Sequence, residues 1–235
     1  MYQPKNFFYI LSVDIGIKNL ALVLSQVKKN FSLDYVVWFE NMDITDFYHL
    51  ESPQECKLLH TKTTADWLEH IFYANQELFE AVDWIIIERQ PPQGLVAVEQ
   101  ILFYAYRHKA VLIHPTSVHR WLGWSKAIDY EQRKVKSFQT ALQILKKNPE
   151  RQDLVTELES LPRGHDISDA ICQTMFFLEL KRREEEEQQR TERLKQLAQK
   201  HKTMVELEEY IDLDLDRFRF QAHKVNQELG EEFGV

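Results

Sequence analysis

Four carboxylates stand where ordinary surface charge is not expected. Asp14 closes the apolar run YILSV and Glu88 closes WIII, while Asp166 and Asp169 stand three apart at the start of the apolar stretch ISDAICQTMFFLEL. A spacing of three puts the last two on one helical face. In an α/β sheet, groups at the carboxyl ends of neighbouring strands converge on a crevice, and a helix packed there aims further side chains into it. Like charges gathered so closely repel by about 4 kcal/mol per pair at ~4 Å and an effective dielectric of ~20, so several ionised carboxylates persist together only around cations. An oxygen-only donor set suits Mg²⁺ or Mn²⁺ better than zinc, and two such ions side by side activate a water and stabilise the leaving oxygen of a phosphodiester displacement. Singly, each residue has a plainer use. A strand-end aspartate commonly caps a turn, and paired aspartates at a helix start offset the helix dipole.

The elements that must position these groups follow from hydrophobic period. Residues 9–13 and 20–26 are apolar strands flanking DIGIKN, whose Gly16 and Asn19 can take positive φ and so close a hairpin; residues 34–39 supply a third strand. Helical spacing over residues 63–79 precedes WIII (84–87), a continuous apolar run of the kind buried on both faces of a sheet. After the breaker ERQPPQG, residues 95–107 have helical period, and residues 110–113 give a fifth strand, with Thr116 or Ser117 available to cap the next helix. Residues 130–147 read as an amphipathic helix with Val135, Phe138, Leu142 and Leu145 inward and Arg133, Lys134 and Lys136 outward. The expected fold is α/β: a mixed five-stranded sheet, meander first and right-handed crossovers after, flanked by helices.

The helix that carries the two aspartates changes character at Lys181. KRREEEEQQRTERLKQLAQKHK has almost no apolar stripe, so residues 1–180 read as one domain and 181–235 as a charged, mainly helical extension. Within the extension, residues 210–220 alternate as an edge strand would, or form a helix-terminating patch.

The 235 residues, 44% hydrophobic, suffice for one sizeable core plus an appendage. The net charge of −8 opposes a nucleic-acid partner only if it is spread evenly, and it is not. Residues 107–151 hold ten Lys or Arg against Asp129, Glu131 and Glu150, a local +7, whereas residues 181–235 hold 14 acidic and 11 basic groups, a local −3. Cys56 and Cys172 lie far apart, with no CxxC and no Cys/His cluster, so neither a disulfide framework nor a structural zinc site is expected, and a reducing compartment fits. The first residues offer too short an apolar run for a membrane span and no Arg-rich leader, so no membrane partner and a cytoplasmic setting, a viral factory included, are expected over a mitochondrial one.

SVDIGIKNLA (12–21), IIIERQ (85–90) and GHDISDA (164–170), in this order, resemble the RuvC-type Holliday junction resolvases, in particular their fungal mitochondrial and large-DNA-virus (poxvirus-like) branch. The likeness spans residues 9–180. It implies an RNase H-like fold and a homodimer that cuts four-way DNA junctions with two Mg²⁺ (or Mn²⁺) ions per site. The catalytic and metal-holding set would be Asp14, Glu88, Asp166 and Asp169, with His165 orienting a water or a carboxylate. It further implies DNA contacts from Lys134 and Lys136, with Arg133 and Lys126 behind them, and branch-point contacts from Arg89 and Gln90. Pro91 and Pro92 follow in place of a recognisable wedge. The helix at 95–107 would be the dimerisation element.

Other readings keep part of this pattern. A hybrid-cutting or transposase-like nuclease of the same fold shares the chemistry and changes the substrate. An inactive junction-binding protein would keep the basic helix but has no use for four carboxylates that repel DNA. An actin-like ATPase or sugar kinase opens with a similar hairpin, but needs two such halves and glycine-rich phosphate loops, and the chain has six glycines.

Overall fold

A computed structural model describes residues 6–46, 56–125 and 128–201, together with residues 214 and 217. Five strands, β1 (Phe7–Asp14), β2 (Leu20–Lys28), β3 (Leu33–Met42), β4 (Trp84–Glu88) and β5 (Ala110–Ile113), form one sheet in the order β3-β2-β1-β4-β5. The pairs β1/β2 and β2/β3 are antiparallel, and β1/β4 and β4/β5 are parallel, as the expected meander and crossovers require.

Gly16 closes the first hairpin for a reason other than the one expected. Neither it nor Asn19 has a positive φ; instead a Cβ at Gly16 would sit 2.2 Å from the Asn19 carbonyl oxygen, so only glycine lets the turn fold this tightly. The turn is tied to the segment after β3, where Ile44 N–H donates to Ile17 O at 2.9 Å and the Lys18 ammonium meets Asp43 at 2.8 Å.

Period-two alternation divides the sheet's two faces. Leu11, Val13, Ile85 and Ile87 pack with Leu68, Ile71, Phe79, Val98 and Leu102, which come from α1 (Thr64–Ala74), α2 (Gln76–Ala81) and α3 (Val96–Ala105). The single helix expected over 63–79 is two helices. Asn75 stops α1 by turning back on it, with its backbone N–H at 3.0 Å and its side-chain amide at 3.1 Å both donating to Ile71 O.

The opposite face is covered by α4 (Pro115–Trp121), α5 (Tyr130–Leu145), α6 (Gln152–Ser160) and the part of α7 (Gly164–His201, 38 residues) that runs to Leu178. α4 is capped not by Thr116 or Ser117 but by His114, whose Nδ1 accepts from Thr116 N–H at 3.2 Å with Pro115 at the first helical position. The stripe Ser137, Ala141 and Leu145 buries α5, while Val135, expected inward, is 55% exposed. Buried Gly164 starts α7 hard against its neighbours: a Cβ there would lie 2.9 Å from both Leu158 O and the Phe138 ring. α7 then lies along β1, where Ser12 and Thr174, both buried, share a 2.6 Å hydroxyl hydrogen bond.

The chain divides into two units, Met1–Arg182 and Arg183–Val235. In the second, Arg190 pairs with Asp214 at 3.0 Å, and Asp214 and Arg217 are both helical; the rest of the 210–220 stretch lies outside the described residues. Among the described residues no helix is long and apolar enough to cross a membrane.

Candidate active site

Register decides which carboxylates meet. The parallel β1/β4 ladder pairs Val13 with Ile87, so Asp14 and Glu88, one residue on, stand side by side at the carboxyl ends of the two central strands. Both have the parity of Ser12 and Ile86 and so point toward the face covered by α7. The Ser12–Thr174 bond holds α7 on β1, and the first turns of that helix bring Asp166 and Asp169 to the same strand ends.

Electrostatics shows which of the four act on one another. Burial lifts the Asp14 carboxyl well above the usual aspartate range, Glu88 lifts it further by repulsion and by a shared hydrogen bond, and Asp169 and Asp166 add to the rise. Asp169 is pushed up to about 7, first by burial and then by Glu88 and Asp166, against the opposing influence of the Ser137 hydroxyl and the Arg133 charge.

Each of the other two carboxylates has its own support. Gln90 Nε2 donates to Glu88 Oε2 at 2.8 Å, while the Gln90 backbone N–H donates to Glu99, a glutamate only 4% exposed. Gly94 crosses close enough that a Cβ would lie 2.8 Å from Gln90 Oε1. Gln90 thus orients Glu88, and Arg89 beside it is exposed. Asp166, 8% exposed, is paired by Arg163 Nε at 2.8 Å. His165 Nε2 stands 3.1 Å from Asp166 Oδ1 but off the hydrogen-bonding direction. Burial holds the His165 imidazole below its ordinary value.

A cleft of about 170 Å³ opens onto Glu88 and Asp169, lined on its far side by His119, Trp124, Tyr130, Arg133 and Lys134. Arg133 and Lys134, expected on the outer face of α5, are half-buried and turned into this cleft. Lys134 lies over the Tyr130 ring at 4.1 Å and pairs with Glu131 at 3.6 Å. Lys136 is exposed. Lys126 lies outside the described residues. A larger groove of about 320 Å³, lined by Phe31, Tyr35, Trp121, Leu178 and Arg182 among others, contains none of the four carboxylates.

Raised carboxyl pKa values carry a consequence for stability. Between 3.8 and about 7, Asp169 holds a proton in the folded protein that the unfolded chain has released, so stability of the metal-free protein falls as pH rises through that window. Asp14 acts in the same direction. Denaturant unfolding of chelator-treated protein is expected to show Asp169→Asn gaining stability relative to the wild type between pH 4.5 and 7.5; an equal difference between the two proteins at both pH values would contradict the assignment.

Sequence reasoning missed several groups here. Arg163, Ser137 and Glu99 carry no signal that separates them from ordinary helix residues. Nor does the sequence signal a grouping that the fold makes: Cys56, His60 and His70 offer ligand atoms all within 4.8 Å of one another. Their spacing contains no CxxC, and the fold of α1 against the preceding segment brings them together.

No protein-family model matches the sequence, and no curated protein does. Solved structures do. The fowlpox virus resolvase in complex with Holliday junction DNA superposes with a TM-score of 0.53 at 18% identity, over 73% of this chain and 97% of that one. The fowlpox virus Holliday junction resolvase alone gives a TM-score of 0.51 at 18% identity, over 73% and 99%. RuvC from Thermus thermophilus gives 0.41 at 16% identity, over 72% and 92%. The five-stranded mixed sheet with its flanking helices thus has the RNase H-like fold of the fowlpox virus resolvase.

Proposed function

We propose that this chain is a structure-selective endonuclease that resolves four-way DNA junctions by paired, metal-dependent phosphodiester hydrolysis. One observation carries the reading. Asp14, Glu88, Asp166 and Asp169, drawn from two strands and one helix, press on one another electrostatically at the strand ends of a resolvase fold, beside a cleft lined by Arg133 and Lys134. A cluster in which burial and neighbouring carboxylates resist the ionisation of Asp14 and Asp169, with oxygen-only donors, fits hard divalent cations, Mg²⁺ or Mn²⁺, two per site. Asp14, Glu88, Asp166 and Asp169 would hold them, and such ions, once bound, supply an activated water and neutralise the leaving oxygen.

The protein's own groups do the rest. Gln90, fixed by Glu99, keeps Glu88 aimed at its neighbours, and Ser137 does the same for Asp169. Arg163 holds Asp166 in orientation, with His165 beside it. Arg133 and Lys134 draw the phosphate backbone into the cleft, Lys136 extends the basic track outside it, and exposed Arg89 faces the branch point.

A twofold pair of such sites suits a junction with twofold pseudo-symmetry, so the active form is a homodimer. Tyr104 on α3, 81% exposed, supports that helix as its contact. Tyr104→Glu is expected to convert a dimer to a monomer in sedimentation at micromolar concentration, and to leave single nicks in place of paired ones. An unchanged sedimentation coefficient would put the interface elsewhere.

A side-by-side assay separates the substrates. With Mg²⁺, a four-way junction is expected to be cut at least about tenfold faster than an RNA–DNA hybrid or a linear duplex of the same sequence. A preference for the hybrid would replace this reading with that of a hybrid-cutting nuclease.

A further inference from the structure

The carboxylates face α7, but a second cluster of metal-competent side chains sits on the other face of the sheet, where α1 packs. Cys56 Sγ lies 3.5 Å from His70 Nε2, His60 stacks edge-on against His70 with ring centroids 4.8 Å apart, and the three ligand atoms all fall within 4.8 Å of one another. In a tetrahedral zinc site with Zn–S of ~2.3 Å and Zn–N of ~2.05 Å, the sulfur-to-nitrogen edge is about 3.6 Å and the nitrogen-to-nitrogen edge about 3.3 Å. The Cys56–His70 separation already matches the first edge.

The tautomer of His70 is set by its surroundings. His70 Nδ1 lies 2.6 Å from the Asp66 backbone carbonyl, which can only accept, so Nδ1 carries the proton and Nε2 presents a lone pair toward Cys56. Such an anchoring of the far nitrogen is what orients histidines that bind metals. His70 is 7% exposed and therefore held by packing, Cys56 is half-buried, and His60 is exposed, so an entry path remains open. The segment that carries Cys56 and His60 is braced as well: buried Asp66 accepts from the Thr61 N–H at 2.6 Å and from the Thr61 hydroxyl. That bracing fixes the residue next to His60 on the helix that carries His70.

From this geometry we propose that Cys56, His60 and His70 bind one Zn²⁺ ion, with a water in the fourth position, as a clip that fastens the segment before α1 to the helix. Thiolate and imidazole suit zinc and leave Mg²⁺ to the carboxylates, so the two sites select different metals. On binding, the Cys56 thiol proton passes to solvent as the S–Zn bond forms, and no electron is transferred.

The full chain, purified and equilibrated with limiting Zn²⁺ in the presence of excess Mg²⁺, is expected to retain about one zinc per chain through gel filtration. Cobalt in place of zinc should give a thiolate-to-cobalt charge-transfer band and the visible bands of a tetrahedral site. Cys56→Ser should abolish the charge-transfer band. His60→Ala, a change at an exposed position that leaves folding undisturbed, should weaken zinc binding at least about tenfold. Asp14→Asn should keep both the zinc and the band, which separates this site from the proposed nuclease centre. Saturating zinc should raise the melting temperature of the wild type and not of Cys56→Ser. Absence of bound zinc in the wild type, or a cobalt spectrum unaltered by Cys56→Ser, would overturn the proposal.

Discussion

Asp14→Asn is expected to reduce junction cutting by at least about a thousandfold while leaving junction binding intact or tighter. The substitution keeps shape and removes one charge from a group that burial and three neighbouring carboxylates already hold against ionisation. A neutral amide ligates divalent cations poorly, so the metals are lost or displaced. The same neutralisation relieves repulsion against the phosphate backbone, so affinity has no reason to fall. Unfolding would behave differently, taking binding with it, and the metal-free variant should in fact melt at a higher temperature than the wild type at pH 7.5. Gel-shift affinity and single-turnover cutting on one preparation decide the matter. Full activity in the variant would remove Asp14 from the chemistry.

The second large effect belongs to the basic face of α5. Lys134→Ala combined with Lys136→Ala should weaken junction binding roughly tenfold near physiological salt and make the dependence of log affinity on log salt shallower by about 2, as expected for two lost phosphate contacts. The two lysines are not equivalent. Lys134 reaches into the cleft over Tyr130, next to Glu88 and Asp169, so its single variant should also slow cutting; Lys136 is exposed and should affect binding alone. Fluorescence anisotropy across a salt series reads both slopes. An unaltered slope in the double variant would place the DNA on another face.

Much of the fold was legible because its signals are local and strong. WIII is apolar at every position and forms a central strand whose three isoleucines are fully buried. What escaped was set by tertiary contact. Asn75 breaks the 63–79 pattern with its own side chain, α6 has only nine residues between two breakers, and Gly16 is required by a carbonyl three residues away rather than by its φ. Val135 has an apolar side chain at a plausible period, yet the α5 stripe is centred on Ser137 and Ala141, small residues that permit close approach to the sheet and α7.

The site divides the same way. The four carboxylates could be picked out because each interrupts or follows an apolar run. The groups that hold them could not: Gln90 becomes a support for Glu88 only when Glu99 and Gly94 fold around it, and Arg163 meets Asp166 only once α7 begins at Gly164. Cys56, His60 and His70 were invisible as a set because a helix and a loop, not a short motif, bring them together.

Mapping the incisions on a non-migrating four-way junction, labelled in turn on each strand, tests the central claim most directly. With Mg²⁺ the wild-type protein should leave two nicks at symmetry-related positions in opposing strands, both absent in chelator and both absent in Asp169→Asn. Cuts that persist without divalent ions, or that survive removal of the Asp169 charge, would contradict a shared metal centre built from Asp14, Glu88, Asp166 and Asp169.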